Sequence, residues 1–256
     1  MTPNDWNPTA YARFRGLRLR PALDLLGQLP DLPEGAMVDL GCGAGVVGPV
    51  LRTRFGGRRL TGVDSSPAML EQAAQAGCYD DLAEADIAQW QPAAPPALIF
   101  SNAALHWLPD HEALLPRLAG LLAPGGVLAV QVPNQNRAPS HRLWADIRDK
   151  HAGAGTADIP GILDPVDYHR LLSPLGQLDL WETEYHQQLA TTGEGHPVRR
   201  FTQSTIARPY LKGLDTAVAD RIVAEYDSVM ETIYPVQPDG SVLFPFRRLF
   251  FTLRRD

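Results

Sequence analysis

The chain has 256 residues, 45% of them hydrophobic, a formal net charge of −6 and two cysteines. That length can bury a sizeable core, and one domain with an elaboration is the expected organisation. The acidic balance argues against nucleic acid as a partner, two cysteines make no disulfide framework, and no apolar run is long enough for a membrane span. The opening MTPNDWNPTAYARF has no signal-like apolar core, so a cytoplasmic protein is expected.

In chain order, PALDLLGQL (21–29) opens on a proline and has helical apolar spacing. Residues 36–40 read as a buried strand running into the glycine turn of VDLGCGAGVV (38–47), with a helix to about residue 54. RRLTGVD supplies a second strand ending at Asp64. SSPAMLEQAAQAG (65–77) is a helix with serine near its cap, proline in its first turn and glycine past its end. DDLAEAD is a short third strand, PALIFSNAAL (96–105) a fourth, DHEALLPRLAGLLAPGG a helix, and VLAVQVP (127–133) a fifth strand. Such alternation predicts a doubly wound, mainly parallel α/β sheet of Rossmann-like type. Beyond residue 135 the pattern changes. SHRLWADIRDKH is helical, LDLWETEYHQQL a strand, 199–234 mostly helical, and VLFPFRRLFFTLRR a final strand. The two late strands are expected to form an antiparallel edge of a seven-stranded sheet. The whole chain, 1–256, then reads as one domain. Its core for a cofactor is 1–135, and 136–175 and 190–235 are helical cap insertions over the acceptor site.

Ligands bind at the carboxyl ends of parallel strands. Gly41, Gly43 and Gly45 lie in the first crossover, where glycine permits tight turns and close ligand approach. Asp64, with Ser65 after it, ends the second strand and can accept ribose hydroxyls. Together these features read as a nucleoside site. A GxGxxG frame fails from Gly41 but is met by Gly43, Gly45 and Gly48, so the glycines alone leave a dinucleotide open. Asp39 discriminates more. An acid beside the ligand repels phosphate and favours an amine or a sulfonium, which points to S-adenosylmethionine. Asp86 could accept from the adenine amino group, Ile87 could pack on the ring, and Met69 could cover its other face. Asn102 could meet the methionine end. Each has a plainer reading: Met69 and Ile87 as core, Asp86 as a turn cap. Cys42 reads as a small filler.

DLGCGAG, GVDSSPAML and EADI resemble the motifs of class I S-adenosylmethionine-dependent methyltransferases, across residues 37–132. DWNPTAYARF, RLRPALDLL, SNAALHWLPDHEALLPRL, GGVLAVQVP, ARPYL and FPFRRLFFTLRR extend the resemblance nearly end to end, toward the trans-aconitate methyltransferase family. The resemblance implies methyl transfer to a carboxylate of trans-aconitate or a similar small polycarboxylate, giving a monomethyl ester and S-adenosylhomocysteine. It also implies that Asp39, Gly41 and Gly43 line the methionine side, that Asp64 takes the ribose, that Asp86 and Ile87 take the adenine, and that Asn102 closes the site. The segment RRFTQSTIARPYL departs from that family at Arg200, Phe201 and Ser204–Thr205, and His106 stands where the aconitate enzymes carry glutamine. These departures bear on the acceptor.

A carboxylate is already ionised near neutral pH, so its methylation needs orientation more than acid–base chemistry. Arginines are expected on the non-reacting carboxylates, because their planar fork grips a carboxylate by two bonds. The candidates are Arg18, Arg20, Arg208, Arg247 and Arg248, with Tyr11, Trp107 and Tyr210 as donors or walls. Arg247 and Arg248 alternate faces on a strand, so at most one points inward. Asp110 is expected to cap the helix that begins at His111. His106 could serve as a base if the acceptor were a hydroxyl or an amine. Three rival readings stand beside the leading one: a methyltransferase for a lipid-like acid or hydroxyl compound, a cofactor-binding protein without turnover, and an NAD-linked dehydrogenase. A monomer or weak homodimer is expected, with no metal.

Overall fold

A computed structural model of the chain describes residues 15–153, 161–190, 194–203 and 205–256. Helix α1 (Arg15–Gly27) precedes β1 (Met37–Leu40), α2 (Gly48–Arg54), β2 (Leu60–Asp64), α3 (Pro67–Gln75) and β3 (Asp81–Glu84). Then come β4 (Leu98–Asn102), a 3-10 turn at Leu105–Trp107, α4 (His111–Gly120) and β5 (Val127–Pro133). Helices α5 (Pro139–Ala152) and α6 (Pro165–Leu172) lead to β6 (Gly176–Ala190). Helices α7 (Pro197–Gln203), α8 (Ala207–Leu211) and α9 (Thr216–Ile233) precede β7 (Ser241–Arg255). Helix α1 starts upstream of Pro21, which the sequence places at the helix opening; the proline lies inside it.

The seven strands form one sheet in the order β3-β2-β1-β4-β5-β7-β6. Strands β1 to β5 pair in parallel, with Met37 opposite both Leu60 and Leu98. β1, β4 and β5 are buried along nearly their whole length, as a parallel sheet covered on both faces requires. β7 runs antiparallel to β5: Arg255 exchanges backbone hydrogen bonds with the Gly125–Gly126 turn, while Asn134 N–H donates to the Arg247 carbonyl. The expected antiparallel edge is therefore present, and β7 lies inside it rather than at its rim.

The chain divides into two compact units. The first holds the described residues of Met1–Pro133, Gly161–Glu182 and Leu249–Asp256; the second holds those of Asn134–Pro160 and Thr183–Arg248. Residues 161–175, placed by the sequence with the insertions, belong to the sheet unit, because Tyr168 and Leu172 of α6 are buried in its core with Leu115, Leu118 and Phe251. The second unit has its own centre. The Trp144 ring stacks on Tyr226 at 3.9 Å, its Nε1–H donates to Thr202 Oγ1, and the Tyr226 hydroxyl donates to the Ser140 carbonyl.

Candidate active site

In the first unit the turns at the carboxyl ends of β1, β2 and β4 come together. The chain leaves β1 through Gly41 and Cys42, whose N–H groups both donate to the Val63 carbonyl of β2. Gly41, Gly43 and Gly45 all have positive φ, which strongly favours glycine. Their surroundings differ. A Cβ on Gly41 would lie 2.3 Å from Ala104 Cβ and 3.4 Å from Ile87 Cδ1, so this glycine lets the β4 loop and the segment after β3 close on the turn. A Cβ on Gly43 would meet no described atom within 4 Å. Among the described residues, that is the glycine of the turn with space before it.

Asp64 holds the turn in shape. Its Oδ2 accepts from Gly43 N–H at 2.8 Å and its Oδ1 from Ser66 N–H at 2.9 Å. Ser65 is exposed, and Ser66 is the residue that caps α3, accepting from Met69 N–H. Met69 is 4% exposed, as a core methionine would be. Asp86 is exposed and its Oδ1 accepts from Ala88 N–H, the local cap of the plainer reading. Ile87 is half-buried beside Gly41, and its carbonyl accepts from Arg117.

Asp39 is 1% exposed and accepts a 2.6 Å hydrogen bond at Oδ2 from the Tyr79 hydroxyl. Burial pushes its carboxyl up to about 7; the Tyr79 bond opposes the rise and the Asp64 charge adds to it. A buried carboxylate of this kind is stabilised by a cation. Asn102 Oδ1 is a second buried acceptor at the end of β4, and it has no hydrogen-bond partner among the described residues. Buried acceptors rarely stay unsatisfied. The next residue, Ala103, has φ 54°, an αL conformation uncommon outside glycine, with its N–H on the Gln131 carbonyl. The ammonium of a bound methionine moiety would supply donors to both acceptors. The residues present therefore fit S-adenosylmethionine.

The loop after β4 is anchored by a histidine that the sequence reading treats only as the start of a helix. His111 Nε2 lies 2.9 Å from the Leu105 carbonyl, which can only accept, so this nitrogen carries the proton and Nδ1 accepts from the Tyr168 hydroxyl at 2.6 Å. Burial lowers the His111 pKa and favours that neutral form. His106 and Trp107 follow Leu105 directly, half-buried, with ring centroids 4.6 Å apart. Asp110 caps α4 through Ala113 N–H. Cys42 is buried, and burial pushes its thiol far up, as befits a filler. Among the described residues no group of three His, Cys, Asp or Glu could hold a metal. No described helix is long and apolar enough to cross a membrane.

The remaining sequence candidates lie in the second unit. The β7 pair splits as its alternation requires: Arg248 is 3% exposed, 4.7 Å from the Phe246 ring centroid, and Arg247 is exposed beside Glu184. Arg208 is exposed on α8, and Tyr210 is half-buried. Phe201, one of the departing residues, is buried against Phe244 and Phe246, both at 5.6 Å, and so serves this unit's aromatic core. Arg20 is exposed on α1. Tyr11, Ser204 and the Arg18 side chain lie outside the described residues. Sequence reasoning missed Tyr79, which belongs to no motif and sits in the loop between α3 and β3.

A glycine turn after β1, with acids at the ends of β1 and β2, is the arrangement that a nucleoside–sulfonium ligand calls for on a Rossmann-like sheet. The "Methyltransferase domain" family profile matches residues 11–172, and the chain belongs to the class I S-adenosylmethionine-dependent methyltransferases. This sets aside the dinucleotide reading that the Gly43 frame left open. Over 252 residues the chain is 40% identical to the trans-aconitate 2-methyltransferase of Klebsiella pneumoniae (strain 342), covering 98% of each. It is 38% identical over 262 residues to the protein of that name from Paracidovorax citrulli, covering 99% of each. Among solved structures, the YcgJ protein of Bacillus subtilis matches with TM-score 0.58 at 14% identity, over 92% of this chain and 97% of that one. Phosphoethanolamine N-methyltransferase 2 of Haemonchus contortus matches with TM-score 0.53 at 15% identity, over 93% of this chain and 53% of that one. These two likenesses show the fold alone.

Proposed function

We propose that the protein methylates a carboxylate of trans-aconitate, or of a closely similar small polycarboxylate, using S-adenosylmethionine. The observation that carries this reading is the 40% identity to a trans-aconitate 2-methyltransferase across 98% of both chains. S-adenosylmethionine, when bound, supplies a methyl group on a sulfonium. Asp39 and Asn102 hold its ammonium through buried acceptors, and Asp64 keeps the glycine turn open at Gly43. When bound, the cofactor would offer that methyl to one carboxylate oxygen of the acceptor, the electron pair of the carbon–sulfur bond passing to sulfur. No proton moves, so no base is required. We assign the non-reacting carboxylates to Arg208 and to one of the β7 pair Arg247 and Arg248, with Tyr210 and Trp107 as donors or walls.

The test is turnover of the purified protein with trans-aconitate beside citrate, isocitrate, cis-aconitate and fatty acids, followed by mass spectrometry. We expect trans-aconitate monomethyl ester and S-adenosylhomocysteine in equal amounts, formed faster than any other ester. Cofactor binding with no ester from any of these acids would overturn the acceptor assignment. It would favour the second reading, a hydroxyl or lipid-like acceptor with His106 as base, which the histidine at this position supports.

A further inference from the structure

We infer that Tyr79 is a positioning residue for cofactor binding: it donates to Asp39 Oδ2 and so fixes Oδ1 for the cationic methionine end of the ligand. The inference rests on the methyltransferase reading and on none of its acceptor assignments.

Three glycines from three places in the first unit border this ring. A Cβ on Gly45, in the turn after β1, would lie 3.0 Å from both Tyr79 Cε2 and Ala73 Cα. On Gly48, which opens α2, it would lie 2.5 Å from Cys78 Sγ, 2.7 Å from Tyr79 Cζ and 2.8 Å from its hydroxyl. On Gly62, inside β2, it would lie 2.7 Å from Leu82 Cδ2 and 3.0 Å from Tyr79 Cδ1 and Cε1. Real Cβ atoms scarcely approach other atoms so closely, so these glycines let the ring pack here together with Ala73, Cys78 and Leu82. Two of the glycines that read as a ligand cradle in sequence thus border an aromatic side chain. Of Gly41, Gly43 and Gly45, Gly43 is the one whose Cβ would meet no described atom within 4 Å.

The ring so held carries its hydroxyl to Asp39 at 2.6 Å. With Asp39 ionised, the direction of that bond is fixed. Burial, with the Asp39 charge beside it, pushes the phenol far above its ordinary value, so Tyr79 keeps its proton and donates. A carboxylate with one oxygen tied to a neutral donor keeps its orientation and presents the other. Without that donor the carboxyl can rotate, and its charge is less well supported in the buried site.

The experiment uses the full chain and calorimetric titration with two probes, S-adenosylhomocysteine and 5′-methylthioadenosine. The second has the adenosine and sulfur but no amino-acid moiety. Tyr79→Phe keeps the ring and removes the hydroxyl. We expect it to weaken S-adenosylhomocysteine about tenfold, the usual scale for a hydrogen bond to a charged group. Methylthioadenosine should change less than about twofold. In a double-mutant cycle, Tyr79→Phe on an Asp39→Asn background should cost nothing further. Gly48→Ala, whose methyl would press on Cys78 Sγ and on the Tyr79 ring and hydroxyl, should reproduce the discrimination and serves if Tyr79→Phe fails to fold. Equal loss for both probes, or loss for neither, would overturn the inference. If the wild type binds the cofactor but esterifies no polycarboxylate, the acceptor proposal fails and this one is decided by its own probes.

Discussion

Asp39 lies 1% exposed at the end of β1, faced by the Tyr79 hydroxyl, by Asp64 and by the thiols of Cys42 and Cys78, with its carboxyl pushed up to about 7. Two opposite pH effects follow. A folded-state value raised above the ordinary carboxylate range means the folded protein holds a proton that the unfolded chain gives up. Stability therefore falls as pH rises from about 4 to about 7. Asp39→Asn should raise the melting temperature of the ligand-free protein at pH 8, and the gain should vanish toward pH 4. Affinity for S-adenosylmethionine runs the other way. It should drop about three- to tenfold between pH 8 and pH 6, because the protonated carboxyl no longer meets a cation with a full charge. Calorimetry at the two pH values checks this, and an affinity flat across them would remove Asp39 from the ammonium site. Asp39 was legible in sequence because its sign is informative. Tyr79 was not, because an aromatic in a turn carries no pattern until the fold brings it 2.6 Å from residue 39.

The turn from β1 to α2 carries a contrast between neighbouring glycines. Gly41→Ala places a methyl 2.3 Å from Ala104 Cβ at a positive φ, so it should cost roughly 2–5 kcal/mol by strain and overpacking together. Gly43→Ala meets no described atom and should cost only about 1–2 kcal/mol for its backbone conformation. Yet its methyl projects into the space before the turn, so cofactor affinity should fall at least about tenfold while the fold survives. Melting temperature and titration, measured on both variants, separate the two roles; a Gly43→Ala protein of unchanged affinity would show that nothing approaches this turn. In sequence the glycines looked equivalent, because spacing reveals the need for positive φ and not what lies opposite. The strands were easier to read: β1, β4 and β5 are short apolar runs bounded by turns. Helix α6 was assigned to the insertions because Pro160, Gly161 and Pro165 precede it, whereas Tyr168 buries it in the sheet unit.

Each of the two units has a buried centre, and the chain passes between them four times, twice within strands β6 and β7. Strands that continue from one unit into the other link their unfolding. Trp144→Ala empties the centre of the second unit and should cost roughly 3–5 kcal/mol. We expect far-ultraviolet circular dichroism and tryptophan fluorescence to report one coincident, lowered transition; two separated transitions would show the units unfold independently. At this scale the sheet and its antiparallel edge were legible from alternation alone. The division was not, since its boundaries at residues 182 and 248 fall inside strands, where composition does not change.

Strand β7 is synthesised after β6 yet lies between it and β5. Until residues 241–255 have left the ribosome, β5 has an open edge and β6 has no partner strand in the sheet. An unfinished or prematurely terminated chain therefore presents sticky, unpaired backbone to its neighbours, and it is a natural client for chaperones and proteases. The order of synthesis thus makes completion of the polypeptide a checkpoint: the cell obtains a closed sheet or a chain marked for disposal.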